Sequence, residues 1–309
     1  MKKIFLLFTA VAMSAGVMFA QDINEATENY NNGAMELNMG NKESALGYFQ
    51  TALTMAEALG EEGAELATNC KNTIPAIMSS IAVDLIKAEN YDAAVEQLNK
   101  TVETAELYGA ADVAADCKER IPQVYLSKGN DLLKAKDAVG AAAAFEQSLA
   151  LDPANGMASL LLGQALTAQG KVAEAEAAYL QAAANGQEKK ANQQLSNMYV
   201  KLAQAASKAK KFQEAYDNAV KANSFLENAN AYRFAASAAQ QLGKNADCIA
   251  NYEKYLALKP NAKDAAGVKF TIAALYQQGG DKAKAKEYYQ MIATDPQYGA
   301  SAQEQLKTL

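Results

Sequence analysis

Apolar residues recur along this chain at intervals of three and four. One stripe runs Ala67, Cys70, Ile74, Met78, Ile81, Leu85, and a second runs Val113, Cys117, Ile121, Tyr125, Gly129, Leu132. That spacing places every member on one face of an α-helix. Glycines at Gly40, Gly170, Gly243 and Gly279-Gly280 suit helix ends and divide the pattern into segments of helical length. The pattern predicts an all-α chain of short helices, each with one apolar face to bury.

A phrase repeats in phase with those segments. Its clearest copies are Ala141-x3-Phe145-x2-Ser148-Leu149, running on to Leu151-Asp152-Pro153, and Cys248-x3-Tyr252-x2-Tyr255-Leu256, running on to Leu258-Lys259-Pro260. A third, Ala285-x3-Tyr289-x2-Ile292, ends one residue sooner at Asp295-Pro296. Copies without the proline start at Ala45, Ala94 and Ala175, and a weak one at Ala215. Twelve residues before each start lies another small residue: Gly33, Ala82, Gly129, Gly163, Ala203, Ala236 and Ala273. Small residues at both places let two helices cross closely, and the aromatic fills the gap to the next pair.

This two-helix phrase resembles the tetratricopeptide repeat, whose period is about 34 residues. Units beginning at Pro122 and Gly156 keep that spacing. The resemblance covers nearly the whole chain after the leader. It implies an α-solenoid of about seven helix-turn-helix repeats in a right-handed superhelix. A single unit cannot bury its apolar face, so neighbours must stack. The first two units are longer: Ala45 and Ala94 lie 49 apart, and Ala94 and Ala141 lie 47 apart. Their extra residues resemble each other, Cys70-Lys71-x2-Ile74-Pro75 and Cys117-Lys118-x2-Ile121-Pro122. Two arrangements fit: a lengthened first helix kinked at the proline, or a separate short helix before it. Residues 1–20 read as a leader, 21–121 as two lengthened units, 122–299 as five more regular units, and 300–309 as a capping helix.

The start of the chain has a different character. Lys2 and Lys3 precede the apolar run Ile4–Ala12, then small and apolar residues to Ala20, then polar Gln21-Asp22. This is the layout of a signal peptide cut after Ala20, and an uncleaved anchor is the alternative. No cysteine lies near the cut, so a lipid anchor is not expected. An exported, soluble, periplasmic or secreted chain is. Removing Lys2 and Lys3 takes the formal charge from −6 to about −8, and such an acidic chain is a poor match for nucleic acid.

Composition narrows the chemistry further. Histidine is absent, which excludes Ser-His-Asp, Cys-His and His-metal sites. No glycine-rich phosphate loop follows a strand, and carboxylate pairs such as Glu61-Glu62 and Asp112-Asp116 read as solvated helix faces. We expect no enzyme activity, no cofactor and no metal. Cys70, Cys117 and Cys248 read as three buried free thiols rather than a Cys70–Cys117 disulfide, because packed helices lie too far apart for the bond. Many of the fifteen tyrosines, among them Tyr179, Tyr252 and Tyr289, fall on aromatic slots of the repeat, so core is their default rather than a carbohydrate platform.

The resemblance implies that the first helix of each unit lines the concave face. Outward positions there include Tyr30, Asn130, Val200, Ser237, Phe270 and Gln277. The densest polar run is Gln164, Asn197, Lys201, Gln204 and Arg233, our candidate partner-binding residues. The family's Lys-x3-Asn clamp for a terminal carboxylate is not found in phase. An amide-rich face suits an extended peptide backbone, since Asn and Gln both donate and accept. The function expected is a periplasmic adaptor for other proteins or peptides. A small-ligand or glycan-binding protein using an end pocket is the alternative. The leader makes one test immediate: intact mass of the exported protein should show loss of Met1–Ala20 and an N-terminal Gln21, and a mass retaining those residues would mean an anchor.

Overall fold

The computed structural model describes residues 23–309. The proposed leader and its cleavage bond lie outside the described residues. Among these residues there are fifteen α-helices and no strand. The chain divides into two compact units, the first ending at Lys128 and the second spanning Gly129–Leu309. The division falls inside the fifth helix.

The first unit holds α1 (Ile23–Asn38), α2 (Lys42–Ala58), α3 (Ala64–Lys87), α4 (Tyr91–Tyr108) and the start of α5 (Ala111–Lys134). Short turns fold each helix back on the one before. Both long helices run unbroken through their prolines, each for 24 residues. Pro75 cannot donate a hydrogen bond to Lys71 O, nor Pro122 to Lys118 O, and each loss weakens the helix locally. Packing of the upstream turns offsets it. Cys70 and Ile74 of α3 lie in a core with Phe49, Leu53 and Ala56 of α2, and Tyr108 at the end of α4 closes over that core. Cys117 and Ile121 pack likewise with Val95, Leu98 and Val102 of α4. The lengthened first helix is therefore the arrangement adopted, and no separate short helix forms.

The second unit continues with α6 (Ala138–Leu151), α7 (Gly156–Ala168), α8 (Val172–Ala182), α9 (Glu188–Lys208), α10 (Phe212–Phe225), α11 (Ala229–Gln241), α12 (Asn245–Leu258), α13 (Ala265–Gln278), α14 (Lys282–Met291) and α15 (Gly299–Leu306). A wide turn at Ala183–Gln187, with Gly186 at φ 84°, joins α8 to α9. It lets α9 begin eight residues before Ser196, a lengthening the sequence pattern did not reveal. The last helix lays Ala302 and Leu306 against Tyr289 and Ile292.

The turns inside the helix pairs are built alike. Each has one residue at positive φ: Gly40, Glu89, Lys136, Gly170, Lys210, Gly243 or Gly280. The next residue donates back five positions, as in Asn90 N to Leu85 O, Lys171 N to Leu166 O and Lys244 N to Ala239 O, each 2.9–3.0 Å. This bond satisfies a carbonyl left open at the helix end. Four turns use glycine, which adopts positive φ freely, and three hold a side chain there at a cost of about 1 kcal/mol or more.

Within each pair the small residue meets the slot four positions after the second start. A Cβ on Gly163 would lie 2.6 Å from the Tyr179 ring, and one on Gly129 would lie 2.4 Å from Phe145. A Cβ on Gly33 would lie 3.0 Å from the Phe49 ring. Where the small residue is Ala82 or Ala203, the facing slot holds the smaller Leu98 or Ala219, whereas Ala236 and Ala273 share their cores with Tyr252 and Tyr289. Gly163→Ala should therefore destabilise the chain by about 1–3 kcal/mol through overpacking. Adding Tyr179→Leu, which imitates Ala82 with Leu98, should cost less than the sum of the two single changes in denaturant titration. Strict additivity would show that the two positions do not share the space.

Candidate functional site

The five candidate residues sit on first helices of three successive pairs in the second unit. Asn197, Lys201 and Gln204 occupy positions i, i+4 and i+7 and so share one face of α9. Gln164 lies on α7 and Arg233 on α11, and α9 packs against both of those helices. The opposite faces are filled by the core residues Leu160 and Gly163 of α7, Leu195, Tyr199 and Ala203 of α9, and Tyr232, Ala235 and Ala236 of α11. Burial of those faces leaves the candidate positions partly or fully exposed.

Two of the five are already engaged. Asn197 Oδ1 accepts from Gln193 Nε2 at 3.1 Å, one helical turn back. Arg233 Nη1 donates to Asp264 Oδ2 at 3.2 Å, and the guanidinium lies 5.7 Å from the Phe234 ring centre. Asp264 is the residue that sequence reasoning missed. It stands immediately before α13, where an aspartate ordinarily caps the helix, but its side chain makes no cap bond. Instead Oδ1 accepts from Tyr255 OH at 2.6 Å. Burial alone would raise the Asp264 carboxyl, but the bonds from Tyr255 and Arg233 outweigh it and hold it below its ordinary value. Its one available signal was the loop position after Leu258-Lys259-Pro260. Arg233 keeps further N–H donors beyond the one on Asp264. Among the described residues the side chains of Gln164, Lys201 and Gln204 make no hydrogen bond or ion pair with the rest of the chain.

The aromatic residues have structural duties. Tyr179, Tyr252 and Tyr289 are buried. Tyr199 OH donates to Glu176 at 2.7 Å while Lys221 sits 4.6 Å over its ring and pairs with the same carboxylate. Tyr276 and Tyr288 both donate to Glu253. Two positions expected to face outward are also partly packed: Tyr30 meets the Phe49 ring edge-on at 5.0 Å, and Phe270 lies between Tyr289 and Tyr298.

Two open cavities are present. One of about 310 Å³ lies between the start of α13 and the end of α14, lined by Lys263, Lys269, Met291 and Asp295 among others. The other, about 330 Å³, is bounded by Ala76, Ser79, Asp112, Val113 and Asp116. No tyrosine lines either. No group of three or more potential metal ligands occurs among the described residues, and none of their helices is long and apolar enough to cross a membrane.

Residues 126–190 match the tetratricopeptide repeat family model. No curated protein matches the sequence. Several solved structures are similar. The MamA protein is 21% identical, with 59% of this chain and 96% of MamA covered at a TM-score of 0.37. YrrB, described as a TPR protein with an unusual peptide-binding site, is 17% identical over 60% of this chain and 91% of its own, at 0.33. The C-terminal part of a TPR repeat-containing protein from Cytophaga hutchinsonii is 20% identical over 72% of this chain and 98% of its own, at 0.30.

All three cysteines are free and buried, as the repeat slots predict. Burial pushes the Cys70 and Cys248 thiols up to about 11, and raises Cys117 as well. The thiolate is the reactive form. A disulfide-exchange reagent at pH 8 should therefore find no reactive thiol in the folded chain and three after unfolding. A thiol titrated quickly without denaturant would contradict the buried placement.

Proposed function

We propose that this tetratricopeptide-repeat chain is an exported adaptor that holds other proteins by an extended peptide segment laid across α7, α9 and α11. The observation that carries the reading is the unengaged state of Gln164, Lys201 and Gln204. Polar side chains of this length lower no packing cost at these positions, and alanine would serve the helices better. They therefore mark a face kept ready to bond something outside the chain. Amide groups alternate there with a lysine and with the remaining donors of Arg233. Such a face can pair with peptide C=O and N–H groups without demanding a particular side chain. The pairing Arg233–Asp264 fixes the guanidinium in place, so a carboxylate or carbonyl of the partner meets a pre-positioned fork. Export to the periplasm rests on the Lys2-Lys3 start and the Ile4–Ala12 run. Catalysis has no support in the residues of this face, which lack a nucleophile–base pair.

The test uses an array of extended peptides probed with the purified chain. Peptides retained by the parent protein should lose at least about fivefold in affinity on Lys201→Ala with Gln204→Ala, the change set by about 1 kcal/mol. Helicity and melting should stay unchanged, because both side chains are exposed. Unaltered affinity in the double variant would move the binding face away from α9.

A further inference from the structure

Charge is divided unevenly along the chain. Residues 23–128 carry seventeen acidic and seven basic side chains, whereas residues 129–309 carry seventeen acidic and twenty basic ones. In the first unit all seven basic groups are spent in ion pairs. The excess acid collects at the ends of the two lengthened hairpins, where α2 turns into α3 and α4 into α5. Lys71, Lys118 and Arg120 there are held by Glu57, Glu106 and Asp116. Glu61, Glu62, Glu65, Glu103, Asp112 and Glu119 remain exposed, with no ion pair among the described residues. Packing of Tyr108 on the Cys70 core keeps the two hairpin ends side by side. Between these carboxylates stands Leu107, 70% exposed.

The second unit has the opposite feature. The turns inside its helix pairs carry exposed lysines: Lys136, Lys171, Lys210, Lys244 and Lys282. Hydrogen bonds tie neighbouring turns along this edge, Gln169 Nε2 to Ala138 O at 2.8 Å and Lys244 Nζ to Gln213 Oε1 at 3.2 Å. Two of the acids on the edge act as caps, Asp137 on Gly140 N and Asp281 on Lys284 N, and Glu174, Glu214 and Asp247 stand in the first turns of α8, α10 and α12. Lys136 and Lys210 hold positive φ, where glycine would be less strained, so a lysine stays at a conformational cost. Beside Lys136 stands Val139, 68% exposed. Leu107 and Val139 are the two most exposed large apolar side chains described, one ringed by acid and the other beside base.

We propose that the acidic hairpin ends of one copy dock on the lysine edge of a second copy, with Leu107 set against Val139. An apolar contact within a rim of complementary charge is the arrangement that gives both attraction and register. The contact joins two different surfaces, so it is heterologous and can extend from copy to copy. It leaves the peptide-binding face of α7, α9 and α11 unused and does not depend on that reading.

Light scattering and sedimentation of the purified full chain test this. At about 10 mM ionic strength, where charges act over about 30 Å, the mass should exceed that of the monomer, and at about 1 M it should return to the monomer. Lys136→Glu/Lys171→Glu/Lys210→Glu and Glu62→Lys/Glu103→Lys/Asp112→Lys should each be monomeric alone. Mixed together they should associate, since the acidic ends kept by the first meet the lysine edge kept by the second and the two reversed surfaces are again complementary. Leu107→Ser, at a site outside the core, should weaken association at least about fivefold. Circular dichroism checks that every variant is folded. A parent chain that stays monomeric at low salt overturns the proposal, as does failure of the two folded variants to pair. Lysine-dependent binding of a monomeric parent to phosphatidylglycerol vesicles also overturns it, and would assign the edge to a lipid surface.

Discussion

The close approach of two helices within each pair is the constraint on which this structure depends. At Gly163 the backbone of α7 lies so near the Tyr179 ring that a single added methyl group has no room. That contact sets how deeply the ring enters, and the ring in turn fills the space to the next pair. Because interiors are packed at crystalline density, a change in one member is felt by its neighbours. The Ala203–Ala219 and Ala82–Leu98 combinations redistribute the volume, and the Ala236–Tyr252 and Ala273–Tyr289 combinations keep the full ring beside an alanine. Stability is therefore local, made by each pair and its neighbours.

The lengthened hairpins add a second layer of design to the first unit. A proline ordinarily begins a helix, where its missing N–H costs nothing. Pro75 and Pro122 stand where the regular repeat would begin, yet each helix starts eleven residues earlier. The upstream turns hold because Cys70, Ile74, Cys117 and Ile121 bury themselves against the preceding helix. Burial of such side chains is worth about 1.5–3 kcal/mol each, comparable to the cost of an interior proline. The extension exposes a new surface, and that surface is acidic.

On the candidate face, packing and solvent-facing positions are kept apart. Alternate sides of α7, α9 and α11 serve the core and the solvent, so polar residues can change on one side without disturbing the other. Arg233 is the exception, since Asp264, itself held by Tyr255 of α12, ties it to the start of the following helix pair. It connects the proposed binding face to the packing of neighbours. The pair is about half exposed, so its own contribution to stability is small and its value lies in orientation.

Periodicity carried most of the fold. The three-and-four spacing, the small residues twelve apart and the aromatic slots specified the helix pairs, the buried tyrosines and the buried thiols, because these depend on side-chain volume at fixed intervals. Glycine marked four of the seven tight turns. Glu89, Lys136 and Lys210 adopt the same conformation without glycine, and only the pull of the two packed helices forces them into it. Continuity through Pro75 and Pro122 and the early start of α9 were likewise settled by tertiary burial, which outweighs local helix preference. The exposed polar residues of α9 were legible from helical phase alone, whereas the Arg233–Asp264–Tyr255 cluster joins three segments over 31 residues. Sequence order determines which face a residue occupies, but only the stacking of one pair on the next decides which distant side chain it meets.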